Sequence, residues 1–187
     1  MNIDYKKLLT EEFIREHQEE INWLFISVHQ KLSEDFIREF QDKVDWKYIS
    51  YRLKLSENSI REFQNKVNWY DISYRQKLSE EFIEEFKDKV DWKSISRYQK
   101  LSEEFIREFQ NKVDWINICY YQKLSEKFII EFQDKINWRF LLKKYGYELK
   151  ISDNKYKIKS NNYCSNLLDF PELINLTLRL ISLKAFQ

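Results

Sequence analysis

A tryptophan recurs every twenty-three residues along most of the chain, and this fixed period constrains the fold more than any other feature. A leucine recurs at the same interval, so that six units follow one another without insertion from Leu9 to Gly146. The tryptophans are Trp23, Trp46, Trp69, Trp92, Trp115 and Trp138. Self-similarity at a fixed period of this length predicts stacked supersecondary units, each packed on its neighbours, rather than one globular core.

A single continuous helix cannot carry this repeat. At about 100° per residue, twenty-three residues rotate the helix roughly 140° beyond a whole number of turns, so equivalent side chains would spiral around its axis. The chain must therefore leave the helix at least once in each unit. Leucine-rich repeats have a similar period, but residues 32–54 lack the alternating leucines of their strand.

The unit formed by residues 32–54 contains the start signals of two helices. Ser33 precedes acidic residues and then apolar residues at helical spacing, which is typical of an N-cap and a first helical turn. Asp45 precedes Trp46 and a second apolar stripe in the same way. Each unit is thus predicted to be two short helices of about ten and eight residues, which would not persist alone in water.

The predicted fold class is all-α for most of the chain, an α-solenoid of six 23-residue helix-turn-helix repeats with a small irregular or α+β C-terminal cap. Residues 1–8 are interpreted as a partial repeat, the second helix of a unit, and residues 9–146 as the six-repeat solenoid. Residues 147–187 form the cap, with a hairpin predicted around residues 152–155 and an apolar segment after Pro171.

Side chains that do not change between units indicate the scaffold. An isoleucine on the first helix, such as Ile37, is invariant and is predicted to be core, and so are the tryptophans, whose indole N–H should find a carbonyl. A serine on the second helix is replaced once by Cys119, which we interpret as a small buried residue and not a nucleophile.

A glutamate also recurs on every first helix. We interpret it as part of a solvated charge ladder between neighbouring helices rather than as a catalytic acid. Glu34 lies four residues before Arg38, and Glu39 four before Lys43, the order that favours ion pairs along one helix.

Glycine, cysteine and histidine are scarce in the sequence. Gly146 is the one glycine of the sequence, which excludes glycine-rich phosphate loops, and the two cysteines and two histidines show no zinc-ligand spacing. We therefore expect no cofactor, no metal site, no catalytic residue and no enzyme activity. No secretory signal or apolar run of about 20 residues is present, so we expect a soluble intracellular protein without a membrane partner.

Four positions of each second helix vary between units and are the candidate partner-binding positions. Their spacing of i, i+1, i+4 and i+5 places them on one helical face, and tyrosine and arginine, which are enriched at interface hot spots, make up much of it. The alternative is a solvated or packed face in which tyrosine reflects A/T-rich codons. The candidate residues are Tyr48, Tyr51, Arg52, Tyr70, Tyr74, Arg75, Arg97, Tyr98, Tyr120 and Tyr121.

Residues 101–115, Leu-Ser-Glu-Glu-Phe-Ile-Arg-Glu-Phe-Gln-Asn-Lys-Val-Asp-Trp, carry the repeat motif in full. This motif resembles tandem repeats in proteins of amoeba-infecting giant DNA viruses of the mimivirus group, over about residues 9–145. The resemblance implies a viral product in the cytoplasm of an infected host cell. It implies no activity and no functional residues.

Three classes of function stay open. We favour a non-enzymatic module that binds a host or viral protein through the variable face of the second helices. A structural viral component that self-associates, for example through the C-terminal segment, is the alternative. A nucleic-acid partner is less expected, because 32 basic residues against 31 acidic ones leave a net charge of only +1.

Overall fold

The computed structural model describes residues 7–144, 147–152 and 155–160, and the chain divides into two compact units, Met1–Gln99 and Lys100–Gln187. The described part of the first unit is helical. Its helices are α1 (Glu11–Glu16), α2 (Trp23–His29), α3 (Glu34–Glu39), α4 (Trp46–Arg52), α5 (Glu57–Glu62), α6 (Trp69–Arg75), α7 (Glu80–Glu85) and α8 (Trp92–Tyr98).

The described part of the second unit continues the same alternation and then changes to strands. Its elements are α9 (Glu103–Glu108), α10 (Trp115–Tyr121), α11 (Glu126–Glu131), α12 (Trp138–Lys144), β1 (Tyr147–Ser152) and β2 (Lys155–Ser160). Each 23-residue repeat therefore holds a first helix and a second helix, and the predicted α-solenoid of helix-turn-helix repeats is confirmed.

Each helix begins where the sequence predicts. The Ser33 hydroxyl accepts a hydrogen bond from the backbone N–H of Phe36, and the Asp45 carboxylate accepts from the N–H groups of Lys47 and Tyr48. These caps satisfy donors that a helix start leaves without an intrahelical partner. Because the capping residues recur every twenty-three positions, the same start is specified in repeat after repeat.

The predicted length of the first helix is wrong. It has six residues rather than about ten, because Phe40 leaves the helical conformation at φ −111°, ψ 30°. The Phe40 carbonyl then accepts the N–H groups of both Lys43, at 2.9 Å, and Val44, at 3.1 Å, which closes one further turn before the second helix starts. The second helix has seven residues, close to the prediction.

The core repeats with the same period. Ile37 on the first helix and Ile49 on the second are buried, as are their equivalents Ile60 and Ile72. Full burial of such a side chain contributes about 1.5–3 kcal/mol. The exception is Ser59, a buried serine at the position that Phe36 occupies one repeat earlier.

Second helices lie against second helices: α2 packs beside α4, α4 beside α6 and α6 beside α8, while in the other unit α10 packs beside α12. Strands β1 and β2 pair antiparallel, with Tyr147 opposite Ser160, where the sequence predicts a hairpin, and β1 lies beside α12. Residues 1–6 of the predicted partial repeat 1–8, and the apolar segment after Pro171, lie outside the described residues. Across the described residues, no helix is long and apolar enough to cross a membrane.

Candidate interaction surface on the second helices

Serines on the second helices connect each repeat to the next. The buried Ser50 hydroxyl donates to the Trp46 carbonyl, at 2.7 Å, and accepts from the backbone N–H of Asn68, at 2.9 Å, where the next second helix begins. Ser73 binds the Asp91 N–H in the same way, at 2.9 Å. Replacing this serine would leave the first amide of the next second helix without its hydrogen bond. The serine position therefore belongs to the scaffold.

Cys119 performs the same role in the second unit. Its side chain is buried and its Sγ accepts from the Asn137 N–H at 3.3 Å. Burial raises the pKa of the Cys119 thiol to about 11, which keeps it protonated and poorly nucleophilic near neutral pH. The interpretation of Cys119 as a small buried residue is confirmed.

Glutamines at the ends of second helices form a further connection that the sequence interpretation missed. The buried Gln76 side chain accepts from the Leu55 N–H through Oε1, at 3.2 Å, and donates to the Leu53 carbonyl through Nε2, at 2.7 Å. Gln99 contacts Leu78 and Gln76 in the same manner. The missed signal was recurrence: glutamine occupies this position in four repeats, and Leu53 interrupts the series.

The tryptophans are half-buried rather than core residues, so that part of the prediction is only partly correct. Their indole N–H finds a carbonyl, as predicted: Trp46 Nε1 donates to the Gln41 carbonyl at 2.8 Å. This bond fixes the turn between the two helices of one repeat. The Lys43 ammonium lies 5.7 Å from the centre of the Trp23 ring in the preceding repeat.

Charged side chains of the first helices connect neighbouring repeats, as predicted for the recurrent glutamates. Arg15 bonds Glu39 at 2.8 Å, and Arg38 bonds Glu62 at 2.8 Å, in each case one repeat further on. The hydrogen bond from Arg38 lowers the pKa of Glu62. The predicted partners along one helix are wrong for two cations: Arg38 also bonds Asp35 rather than Glu34, and Lys43 bonds Glu19 rather than Glu39.

Glu34 has a different task from the one that its spacing indicated. Its carboxylate accepts from the backbone N–H and the hydroxyl of Ser56, the N-cap of the next first helix, and from the Ser59 hydroxyl at 2.5 Å. Burial alone would raise the pKa of Glu34, but the hydrogen bonds from Ser59 and Ser56 outweigh it and lower the pKa. The first-turn acids thus connect neighbouring repeats through hydrogen bonds.

The positions that vary on the second helices take little part in these connections. Seven of the ten predicted partner-binding side chains are exposed, and Tyr48, Tyr74 and Tyr120 are half-buried. The most exposed ring is that of Tyr70, at 61%. The exposed members are Tyr51, Arg52, Tyr70, Arg75, Arg97, Tyr98 and Tyr121.

Five of the ten predicted residues form a tyrosine–arginine cluster in the first unit: Tyr51, Tyr70, Tyr74, Arg75 and Tyr98. The Arg75 guanidinium donates to the Tyr51 hydroxyl and lies 4.1 Å from the Tyr51 ring centre and 4.6 Å from that of Tyr74. Tyr98 meets Tyr74 edge to face at 4.5 Å, and Tyr70 stacks on Tyr74 at 6.4 Å. The cluster therefore extends over α4, α6 and α8.

In the second unit, the variable positions form a smaller aromatic group. Tyr120 meets Tyr121 at 4.8 Å and Phe140 of α12 at 6.4 Å. This group carries no arginine from the predicted set, so the tyrosine–arginine cluster is a property of the first unit. Arg97, also predicted, has its guanidinium 5.0 Å from the Tyr98 ring and borders that cluster.

One of the four variable positions is less exposed than predicted. The position two residues after tryptophan is buried at Ser94 and Asn117, and half-buried at Asp71. Burial raises the pKa of Asp71 against the opposing effect of Arg75 and Lys47. The variable face is therefore narrower in these three repeats, where packing of neighbouring second helices covers this position, than in the first repeat, where Phe25 is exposed.

Among the described residues, no group of three or more His, Cys, Asp or Glu side chains could hold a metal ion. Comparison with protein-family models, with curated proteins and with solved structures gave no match. The fold and the surface define an α-solenoid repeat protein with a tyrosine- and arginine-rich face.

Proposed function

We propose that the protein is a non-enzymatic interaction scaffold that binds another protein through the variable face of its second helices. The observation that carries the proposal is the tyrosine–arginine cluster, in which Tyr51, Tyr70 and Tyr98 expose 46%, 61% and 44% of their surface. Exposed aromatic side chains held in place by neighbours lose little entropy on binding, and tyrosine and arginine are frequent hot-spot residues.

Each second helix combines buried residues that form the scaffold with exposed residues that vary, and this combination supports the same proposal. Ile49 and Ser50 are fully buried, whereas Tyr51 beside them is exposed and varies from repeat to repeat. A solenoid whose scaffold is built from recurrent residues can change its surface residues without changing its fold. With the resemblance of its repeats to those of giant viruses, the proposal extends to a viral protein that binds a host or viral protein inside an infected cell.

The test is capture of a partner from infected amoebae by the tagged full chain, compared with a Tyr51→Ser/Tyr70→Ser/Tyr98→Ser variant. We expect the variant to lose the partner while its helical circular dichroism and urea unfolding midpoint stay near those of the parent. Ile130→Ser is the matched control, because Ile130 is 44% exposed but lies on a first helix.

Three results would contradict the proposal. Retention of the partner by the tyrosine variant would place binding elsewhere on the chain. Loss of helical structure in the variant would make the tyrosines part of the scaffold. A parent protein whose sedimentation depends on its own concentration, with no other protein captured, would favour the self-assembling structural role instead.

A further inference from the structure

The near-neutral net charge conceals a separation of charge within each repeat. In the first unit, the segments that hold the first helices carry eighteen acidic and seven basic residues. The segments that hold the second helices carry eight basic residues and a single acid, Asp71. The first set is residues 9–22, 32–45, 55–68 and 78–91; the second is 23–31, 46–54, 69–77 and 92–99.

The two sides differ in how their charges are placed. The first-helix carboxylates of Glu39, Glu62 and Glu85 each bond an arginine of the preceding repeat. On the second-helix side, the Arg75 guanidinium lies against tyrosines, and Lys47 and Arg52 are exposed. The half-buried Asp71 interacts electrostatically with Arg75 and Lys47 and offsets one of the eight positive charges on this side. A local excess of positive charge attracts a negative partner even where the whole chain is neutral.

We propose that the occupant of the second-helix face is an acidic segment of the partner protein, whose Asp and Glu side chains bind the cations around the tyrosine–arginine cluster. This inference rests on the proposed function and adds the chemistry of the partner to it. Guanidinium groups bind carboxylates through paired hydrogen bonds, and charge complementarity of this kind gives specificity and a fast association rate.

At Tyr51 and Tyr74, the cluster fits carboxylates better than the bases of a single-stranded nucleic acid. Bases stack on open aromatic faces. Here the Arg75 guanidinium already covers one face of the Tyr51 ring, at 4.1 Å, and lies over the Tyr74 ring, whose other neighbours are Tyr70 and Tyr98. What the cluster offers is guanidinium and hydroxyl donors, which match carboxylate oxygens.

The experiment measures binding of fluorescein-labelled decaglutamate to the full chain by anisotropy. The test variant is Lys47→Gln/Arg52→Gln/Lys54→Gln, and the matched control is Lys43→Gln/Lys66→Gln/Lys89→Gln. Both remove three exposed or half-buried lysines or arginines and change the net charge equally, but the control does so on the first-helix side. We expect the test variant to bind about tenfold more weakly and the control to bind as the parent does.

Salt adds a second readout. Raising the salt from about 50 mM to about 500 mM should weaken decaglutamate binding to the parent at least about tenfold, because screening shortens the reach of exposed charges. Equal weakening in both variants would show a response to net charge alone and would overturn the proposal. Binding of an oligo(dT) of matched charge in place of decaglutamate would overturn it in favour of nucleic acid.

Three further outcomes also contradict the proposal. An absence of decaglutamate binding at low salt would rule out an acidic partner. Concentration-dependent sedimentation of the parent that the test variant abolishes would make a second copy of the chain the occupant. A partner that the lysine–arginine variant still captures but the tyrosine variant loses would leave the interaction scaffold intact and refute only the acidic chemistry.

Discussion

The two sides of a second helix differ in what fixes their side chains. On the packed side of α4, Ile49 and Ser50 are fully buried, and the Ser50 hydroxyl bonds the next repeat. On the other side, Tyr51 and Arg52 are exposed and take different identities in other repeats. The residues on the packed side must satisfy backbone groups and fill space in a neighbour, which restricts them to one or two types.

The difference indicates where such a chain can acquire function. A six- or seven-residue helix has little stability alone, so the buried side chains that contact the neighbouring repeat are needed for folding. The tyrosine–arginine cluster contacts neighbouring repeats too, but through exposed rings whose loss leaves no buried polar group without a partner. Its residues can therefore change with the partner.

The largest effect should come from shortening a core side chain beside the variable face. Ile49→Ala leaves a cavity at a fully buried position and should lower the free energy of unfolding by about 2–4 kcal/mol. Tyr51→Ala, two residues further on, should cost less than about 1 kcal/mol because its ring is partly exposed. Urea unfolding of both variants measures the difference, and similar losses would abolish the distinction between the two sides.

The second-helix serine that accepts a hydrogen bond from the next repeat gives the next largest effect. Ser73→Ala removes the acceptor of the Asp91 N–H and should cost about 1–3 kcal/mol. Ser73→Cys should cost less, since Cys119 already accepts such a bond at the equivalent position. A cysteine variant as unstable as the alanine variant would show that a thiol cannot replace the Ser73 hydroxyl, and would contradict the equivalence of Ser73 and Cys119.

The glutamine connection can be tested within the first unit both by removing it and by adding it to the repeat that lacks it. Gln76→Leu leaves the Leu55 N–H and the Leu53 carbonyl without their side-chain partner and should cost about 1–3 kcal/mol. Leu53→Gln should stabilise the chain by about 0.5–1.5 kcal/mol, because it restores the connection in the repeat that lacks it. A destabilised Leu53→Gln protein in thermal unfolding would refute the equivalence of these positions.

The smallest effect concerns pH. The folded chain lowers the pKa of Glu34 below the ordinary value of 4.5, so the stability contributed by the Glu34 carboxylate is present above that value. This stability is lost as the pH falls through the lowered folded pKa. The stability difference between the parent and Glu34→Gln should therefore shrink on acidification below about pH 4. A difference that is constant with pH would contradict the hydrogen bonds from Ser56 and Ser59.

The sequence predicted those parts of the fold that local signals specify. The period determines the number of repeats, and the capping residues Ser33 and Asp45 determine where helices begin, because their hydrogen bonds reach only two or three residues along the chain. The end of the first helix was not predictable in this way. It depends on the Phe40 carbonyl accepting two N–H groups, and the sequence around it is still compatible with a helix.

Partners in the neighbouring repeat could not be predicted from spacing either. Arg38 bonds both Asp35 on its own helix and Glu62 on the next repeat, and spacing along one helix gives no signal for Glu62. For the candidate surface, periodicity indicated which positions vary, and the structure shows that Asn117 among them is buried. The separation of charge was present in the sequence but became visible only once the two helices of a repeat were assigned to different sides.

Hydrogen exchange at three equivalent backbone amides shows whether recurrent side chains stabilise the contact between repeats and whether the variable face is dispensable for it. The Leu55 and Leu78 N–H groups donate to the side chains of Gln76 and Gln99, whereas Leu53 cannot accept from Leu32. We predict slow exchange at Leu55 and Leu78, fast exchange at Leu32, and the same rates in the tyrosine-to-serine variant. Equal rates at the three amides, or faster exchange in that variant, would contradict the account.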